Sequence, residues 1–539
     1  MPEVSVNGDA PRLAPPLQAM FEQAMAFAGR GDLARAGETA LRLRDLAPES
    51  VPVHVLASLL MLQQGRYRDA HALAMQAARH PVPVSDLLRV ARLLRRFEEP
   101  ETLERVFGAS DWRRLRSLPV LAELAQHLGF SGLYALAFEC LAHASSIDPN
   151  YADVNYLQGL FEMFSGDMAA SATSIRRALA IEPRMANAHW LLSMQDDAQS
   201  AGPHIAEMQR VMSAAQPGSE ARACFDYSLH QSFHALGRHE EAWRALANGH
   251  AAMRKLVRYS RDEQHVLTAA LERMSLPPFD PPPATDDQTG MIFIVGMFRS
   301  GTTLIERLLA GHPDVMDGGE TSQFSACMRD ATDCDSDQPV SPAIVARATR
   351  ADFAGVRARM QRFANWRGEG GRWLTEKLPS NFLNIGFILH ALPEARILHM
   401  RRDPVDTCFS NLRTLFRGGA PYACDQEDLA DFYVLYRRMM AHWHAIAPGR
   451  ILDVDYSAFV ANPEAQARRI MSYCGLSHVP DALDIGSRKG MAATASAAHV
   501  RQGILKNRGS AWTPYTQNLQ PLIRGLQAAY AMESPGTDG

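Results

Sequence analysis

Apolar runs of strand length alternate with helix-patterned stretches through the second half of this chain. MIFIV, Met291 to Val295, is short, uninterrupted and apolar, and reads as a buried strand. TTLIERLLAGH, which follows closely, has the spacing of an amphipathic helix that ends near Gly311. GRWLTEKL (Gly371 to Leu378), ARILHM (Ala395 to Met400) and RILDVDY (Arg450 to Tyr456) read as further strands, with helical segments between them. Strands alternating with helices predict a parallel sheet covered by helices on both faces. Ligands of such sheets bind at the carboxyl ends of the strands, so the chemistry is expected just after each one.

The first half carries a different signal, an internal repeat. Gly31 and Gly65 are 34 residues apart, and so are Gly132 and Gly166. A small residue follows each glycine five positions on (Ala36, Ala70, Ala137, Ser171), and Pro48, Pro149 and Pro183 close three of the units. This is the tetratricopeptide period, two antiparallel helices per unit. The glycine makes the turn, the small residue lets the helices approach, and the proline stops the second helix. Gly237 and Ala242 mark a late repeat, and the segment near Phe97 to Trp112 fills the slot of one that has lost its glycine. About six to seven repeats are expected between Leu17 and Met274. An irregular helical bundle is the alternative. SLPPFDPPPATDDQTG, Ser275 to Gly290, packs five prolines into seven residues and predicts an extended linker. The expected architecture is therefore α plus α/β: repeats at 17–274, linker at 275–290 and a parallel-sheet domain at 291–530. The linker predicts two separate folding units.

Composition narrows the class. The 539 residues are 47% hydrophobic and 21% charged with a formal net charge of −4, which argues against a polybasic nucleic-acid or membrane binder. No apolar run spans a bilayer and the N-terminus lacks a signal-peptide pattern, so a cytoplasmic protein is expected. The seven scattered cysteines form no CxxC pair and read as free, buried thiols rather than disulfides or a zinc site.

GMFRSGTT, Gly296 to Thr303, has the outline of a phosphate-binding loop, but Thr302 stands where a nucleoside-triphosphate enzyme carries its lysine. The strand–loop–helix context is that of an anion site at a helix N-terminus, with the N–H groups of residues 298–303 turned inward. Arg299, Ser300, Gly301, Thr302 and Thr303 supply one cation and several hydrogen-bonding groups. That suits a smaller anionic load than a triphosphate, such as a phosphate bearing a sulfuryl group, for which no metal is required.

GMFRSGTTLIERLLAGHPDV, the GGE at Gly318 to Glu320 and RRDPVDTCFSN at Arg401 to Asn411 together resemble the sulfotransferases, nearest the tyrosylprotein branch and its bacterial repeat-fused relatives. The resemblance covers about Met291 to Tyr515. It implies 3′-phosphoadenosine-5′-phosphosulfate (PAPS) as donor, held at its 5′ end by Arg299 to Thr303 and at its 3′-phosphate by Arg402 and Ser410. It implies Glu320 as general base and Lys377 as the cation on the departing bridging oxygen, with Arg299 beside them in the catalytic set. Glu376 is either a structural partner or a competitor for the base. The alternative for Glu320 is a helix N-cap region in GETSQF. The stretch Tyr456 to Leu476 resembles a sheet-packing helix. RQGILKNRGSAW (Arg501 to Trp512) resembles a loop closing over the nucleotide, with Arg508 against the 3′-phosphate; it has Asn507 and Arg508 where relatives carry serines. His390 and His399 read as core or surface residues.

Three other classes stand beside this one. A P-loop kinase or nucleoside triphosphatase lacks its lysine here. A sugar or small molecule competes with a protein tyrosine as acceptor. A non-catalytic repeat scaffold would be expected to have lost some of Arg299, Glu320, Lys377, Arg402 and Ser410. The repeats favour a protein or peptide acceptor, or contact with another copy of the chain.

Overall fold

A computed structural model describes residues 13–278, 288–368, 371–486, 490–491 and 510–533. The chain forms two compact units, one of Met1–Pro149, Leu276–Phe279 and Ser322–Trp366, the other of Asn150–Ser275, Asp280–Thr321 and Arg367–Gly539. Each unit draws on both sides of the proline-rich linker, so the units do not part there.

In the first unit four helix pairs follow one another: Pro15–Gly29 with Leu33–Leu46, Val51–Gln63 with Tyr67–Ala77, Leu87–Arg96 with Pro100–Gly108, and Leu118–Phe130 with Tyr134–Ile147. Ala36, Ala70 and Ala137, the small residues of the repeat, are fully buried. Gly31, Gly65 and Gly132 turn the chain at φ of 79°, 72° and 78°, where a side chain is disfavoured. The third pair has no such glycine, and Glu98 takes the left-handed turn at φ 52°. The next residue, Glu99, is buried and pairs with Arg359 at 2.9 Å. His71 bridges Glu99 and Asp330, each at 3.0 Å. Arg359 and Asp330 belong to Ser322–Trp366, whose helices Gln323–Thr332 and Pro342–Arg347 and most of Phe353–Arg367 complete this unit. Arg68 ties the same segment down. Its backbone N–H donates to Asp333 Oδ1 and its guanidinium to the Ala331 carbonyl, both at 2.9 Å.

The second unit contains the helix pairs Ala152–Ser165 with Met168–Ile181, Ala186–Ser193 with Ala201–Val211, and Glu220–Ala235 with His239–Leu256, then the helix Arg261–Glu272. It also contains the sheet. Strands β1 (Gly290–Gly296), β2 (Val315–Asp317), β3 (Trp373–Glu376), β4 (Arg396–Arg401) and β5 (Ile451–Asp455) pair in the order β2-β3-β1-β4-β5. All the pairings are parallel. β1 lies at the centre with Met291 to Val295 buried, as the apolar run MIFIV predicts. Chain order reverses on either side of β1, which opens the crevice at the carboxyl ends.

The stretch 456–476 is two helices rather than one, Tyr456–Ala461 and Pro463–Cys474. Pro463 lacks the N–H that would continue the first helix, and the Asn462 side chain caps the second by accepting the Ala465 N–H. All seven cysteines are free and buried.

Candidate active site

β1 delivers the chain into the loop and the loop into the helix Thr302–Leu309. Two glycines make the passage. A Cβ on Gly296 (φ 151°) would lie 2.7 Å from the Met400 carbonyl, and one on Gly301 (φ 108°) would lie 2.9 Å from the Tyr456 ring. Arg299 itself sits at φ 67°, a conformation that costs a non-glycine residue about 1–2 kcal/mol. Ser300 is buried, and its hydroxyl finds no hydrogen-bond partner among the described residues, which fits a loop shaped for an anion. One expected donor is spent internally: the Ser300 N–H goes to the Met297 carbonyl at 3.2 Å.

The segment carrying Arg402 and Ser410 meets the loop directly. After β4 the helix Pro404–Leu412 begins, capped by Asp403, and carries Ser410. Arg299 Nε donates to Ser410 Oγ at 3.2 Å. Asn411, next along, donates to the Phe298 carbonyl at 2.7 Å and so pins the loop's backbone. Asn411 ended the motif in the sequence but received no role there. Arg402 lies 4.8 Å over the Tyr456 ring and 3.8 Å from Asp406. Asp406 Oδ1 also accepts the Ser510 N–H at 2.8 Å. Arg508 and most of its loop lie outside the described residues.

The general-base candidate forms at the end of β2. A Cβ on Gly318 would fall 2.1 Å from the Thr375 carbonyl, so only glycine fits, and Gly319 turns at φ 77°. The Lys377 N–H donates to the Gly319 carbonyl at 2.9 Å, and the Lys377 ammonium donates to Glu320 Oε1. Lys377 is 1% exposed and the Glu320 side chain 27%, so the lysine is fixed while the carboxylate still meets solvent. Glu320 precedes the helix Gln323–Thr332, whose N-cap is Ser322, and is not itself a cap. Glu376, buried on the neighbouring position of β3, accepts from Asn381 at 3.0 Å, the geometry of a structural partner.

One further carboxylate escaped the sequence reading. Glu306, on the helix Thr302–Leu309, is buried. Its Oε1 accepts the Gly319 N–H at 3.0 Å and the Thr375 hydroxyl at 3.2 Å, and its Oε2 lies 3.9 Å from the Lys377 ammonium. Burial raises its carboxyl, Lys377 opposes that, and Asp317 and Glu320 add to it, for a net value of about 7.

Among the described residues one group of metal-capable side chains lies close together, His399, His444 and Asp453, with ligand atoms within 4.8 Å of one another. Asp453 Oδ1 receives both imidazoles, at 2.7 and 2.8 Å, and Arg401 approaches Oδ2 at 3.4 Å. These are hydrogen-bond contacts on one carboxylate with a guanidinium beside it. They tie the middle of β4 to the middle of β5 and to the helix Gln426–Ile446, and β4 leads into Arg402.

Helices from before the linker reach this site's supports within the same unit. His250 meets the Leu412 carbonyl at 2.9 Å, and Gln231 donates to the Arg413 carbonyl at 2.9 Å. Tyr515 Oη lies 2.8 Å from His234, and its ring packs on Phe409 at 5.1 Å.

Residues 291–481 match the family described as "Sulfotransferase family". An uncharacterized protein of Aquifex aeolicus (strain VF5) is 25% identical over 357 residues, 63% of this chain and 46% of that protein. Protein-tyrosine sulfotransferase 2 of Gallus gallus is 29% identical over 199 residues, 35% of this chain and 51% of that protein. The chain thus spans about half the length of these curated relatives. Among solved structures, the sulfotransferase domain of the Synechococcus PCC 7002 olefin synthase aligns over 48% of this chain and 100% of its own, with 18% identity and a TM-score of 0.32.

Proposed function

We propose that this chain, whose residues 291–481 match the sulfotransferase family, transfers a sulfuryl group from PAPS to an acceptor hydroxyl. The observation that carries this reading is the Lys377–Glu320 pair, a buried cation and a partly exposed carboxylate in contact at adjoining strand ends. The acceptor oxygen attacks sulfur, its proton passes to Glu320, and the bond from sulfur to the bridging oxygen breaks. Lys377 takes the charge that appears on that oxygen as 3′-phosphoadenosine 5′-phosphate departs. Arg299 to Thr303 hold the 5′ end, Arg402 and Ser410 hold the 3′-phosphate, and Arg508 adds a contact there. The protein's own charges serve both ends of the nucleotide, so a metal ion has no assigned role.

The acceptor is a protein tyrosine, in line with the name of the Gallus gallus relative. The repeat helices, of a type that presents a face to peptides, hold the segment that bears it. No helix among the described residues is long and apolar enough to cross a membrane. The test is incubation with sulfur-labelled PAPS and cell lysate, followed by identification of the labelled fraction. Label on tyrosine supports the reading in full. Label on sugar or small molecules sinks the acceptor but keeps the chemistry, and no label in any fraction sinks both.

A further inference from the structure

Glu306 occupies a position that the transfer reaction as drawn leaves unexplained. A carboxylate buried one turn inside the phosphate-loop helix needs a reason, because an ionised group removed from water is costly unless it is held. Its partners supply the reason. Oε1 accepts the N–H of Gly319, the residue immediately before Glu320, and the hydroxyl of Thr375, two residues before Lys377. Oε2 faces the ammonium of Lys377 at 3.9 Å, the same ammonium that donates to Glu320. One side chain thus touches both strand ends that carry the acid–base pair.

We propose that Glu306 is a positioning residue: it fixes the Gly319–Glu320 segment and takes a share of the Lys377 charge, so that Glu320 is free to accept the proton of the acceptor. The inference rests on the sulfotransferase reading. With Lys377 held by Glu320 alone, the base is a carboxylate locked in an ion pair and correspondingly weak. With Glu306 ionised, the ammonium has a second anion to lean on. The charged groups around Glu306 are Lys377 after β3, and Asp317 and Glu320 at and after β2. Burial and those two carboxylates raise its carboxyl while Lys377 lowers it, to about 7. Above that pH Glu306 is an anion and shares the lysine; below it, the group is protonated and the lysine falls back on Glu320. Turnover should therefore fall as pH drops through this range.

The experiment combines a pH–rate profile with a direct titration. Wild type, Glu306→Gln and Thr375→Val are compared for sulfuryl transfer from PAPS, for binding of 3′-phosphoadenosine 5′-phosphate, and for carboxyl titration by NMR of protein labelled at its glutamate side chains. Glu306→Gln should bind the nucleotide as wild type does, lose roughly 10- to 100-fold in turnover above neutral pH and lack the acidic limb near neutrality. Thr375→Val removes one donor to the anion, so its limb should move to higher pH. A glutamate resonance titrating far above the ordinary carboxylate range should vanish in Glu306→Gln and shift upward in Thr375→Val. Wild-type protein that neither transfers nor binds the nucleotide overturns the sulfotransferase reading and this inference with it. Transfer in wild type with an unchanged limb in Glu306→Gln, or no glutamate titrating near neutrality, overturns this inference alone.

Discussion

Arg299 Nε donates to the hydroxyl of Ser410 at 3.2 Å, joining the turn after β1 to the helix after β4. The two residues are 111 positions apart in sequence. The contact couples the groups assigned to the two ends of one nucleotide. A change at Ser410 should thus be felt by the loop as well as by the 3′-phosphate.

Arg402→Ala and Ser410→Ala should weaken binding of 3′-phosphoadenosine 5′-phosphate. Hydrogen bonds to charged groups contribute about 1.5–3 kcal/mol, so the loss for Arg402→Ala should be roughly 10- to 100-fold. ATP, which lacks a 3′-phosphate, should raise the melting temperature far less than the product nucleotide does. Calorimetric titration measures the first and thermal shift the second. Equal stabilisation by ATP with magnesium would favour a kinase.

Glu320→Gln should leave nucleotide binding intact and lower turnover by roughly 100-fold or more, the scale of a lost general base. The substitution keeps an acceptor oxygen for Lys377, so the local fold should survive. Full turnover in Glu320→Gln would remove the assignment. Glu376 is a poor substitute, since it is buried and engaged by Asn381.

The fragment beginning near Asp280 should bind nucleotide poorly or aggregate. It lacks Gln231, His234 and His250, which hold Arg413, Tyr515 and Leu412 around the end of the Ser410 helix. Circular dichroism and nucleotide titration decide this. A monomeric, cooperatively folded fragment with undiminished affinity would show that those contacts are dispensable.

Glu99→Gln should destabilise the first unit by about 3–5 kcal/mol, because it strands the buried Arg359. Burial alone would raise the Glu99 carboxyl, but His71 and Arg359 outweigh it and hold it below its ordinary value. The stability it contributes is present above the ordinary carboxylate range and fades as pH falls below it. His71 runs the other way. Burial lowers it, yet Asp330 and Glu99 raise it on balance above the ordinary 6.5. Its contribution is complete below about 6.5 and is lost as pH climbs through the raised value. Melting temperature should therefore decline as pH rises past about 6.5, and His71→Gln should flatten that decline.

The strands and the repeat were legible because each leaves a local mark. MIFIV is apolar at every position because β1 is covered on both faces, and Gly31, Gly65 and Gly132 stand where the backbone is left-handed. The site residues Glu320, Lys377 and Ser410 were picked out by the resemblance to the sulfotransferases; the first two lie just beyond strand ends and Ser410 on the helix after β4. Glu306 was not, because a charged residue on an amphipathic helix looks like part of the solvent face. Its burial depends on Gly319 and Thr375, which arrive from other strands. Glu98 was missed for a related reason. Its left-handed turn keeps the repeat geometry without the glycine that announces it. The assignment of Ser322–Trp366 to the first unit rests on pairs such as Arg359 with Glu99, 260 positions apart, for which no local pattern exists.

That last arrangement has a consequence for synthesis. The ribosome delivers the chain in order, and residues 1–149 emerge long before 322–366. At a typical 5–20 residues per second, the early helices wait roughly 10–40 s for the segment that completes them. Through that interval Glu99 has no Arg359, and the helix Tyr67–Ala77 lacks its cover from Gln323–Thr332. The nascent protein is then a partly finished array with an open side, the state that chaperones recognise and aggregation exploits. Codon choice between positions 150 and 366, which sets the length of that wait, should influence the yield of folded protein more than codon choice after it.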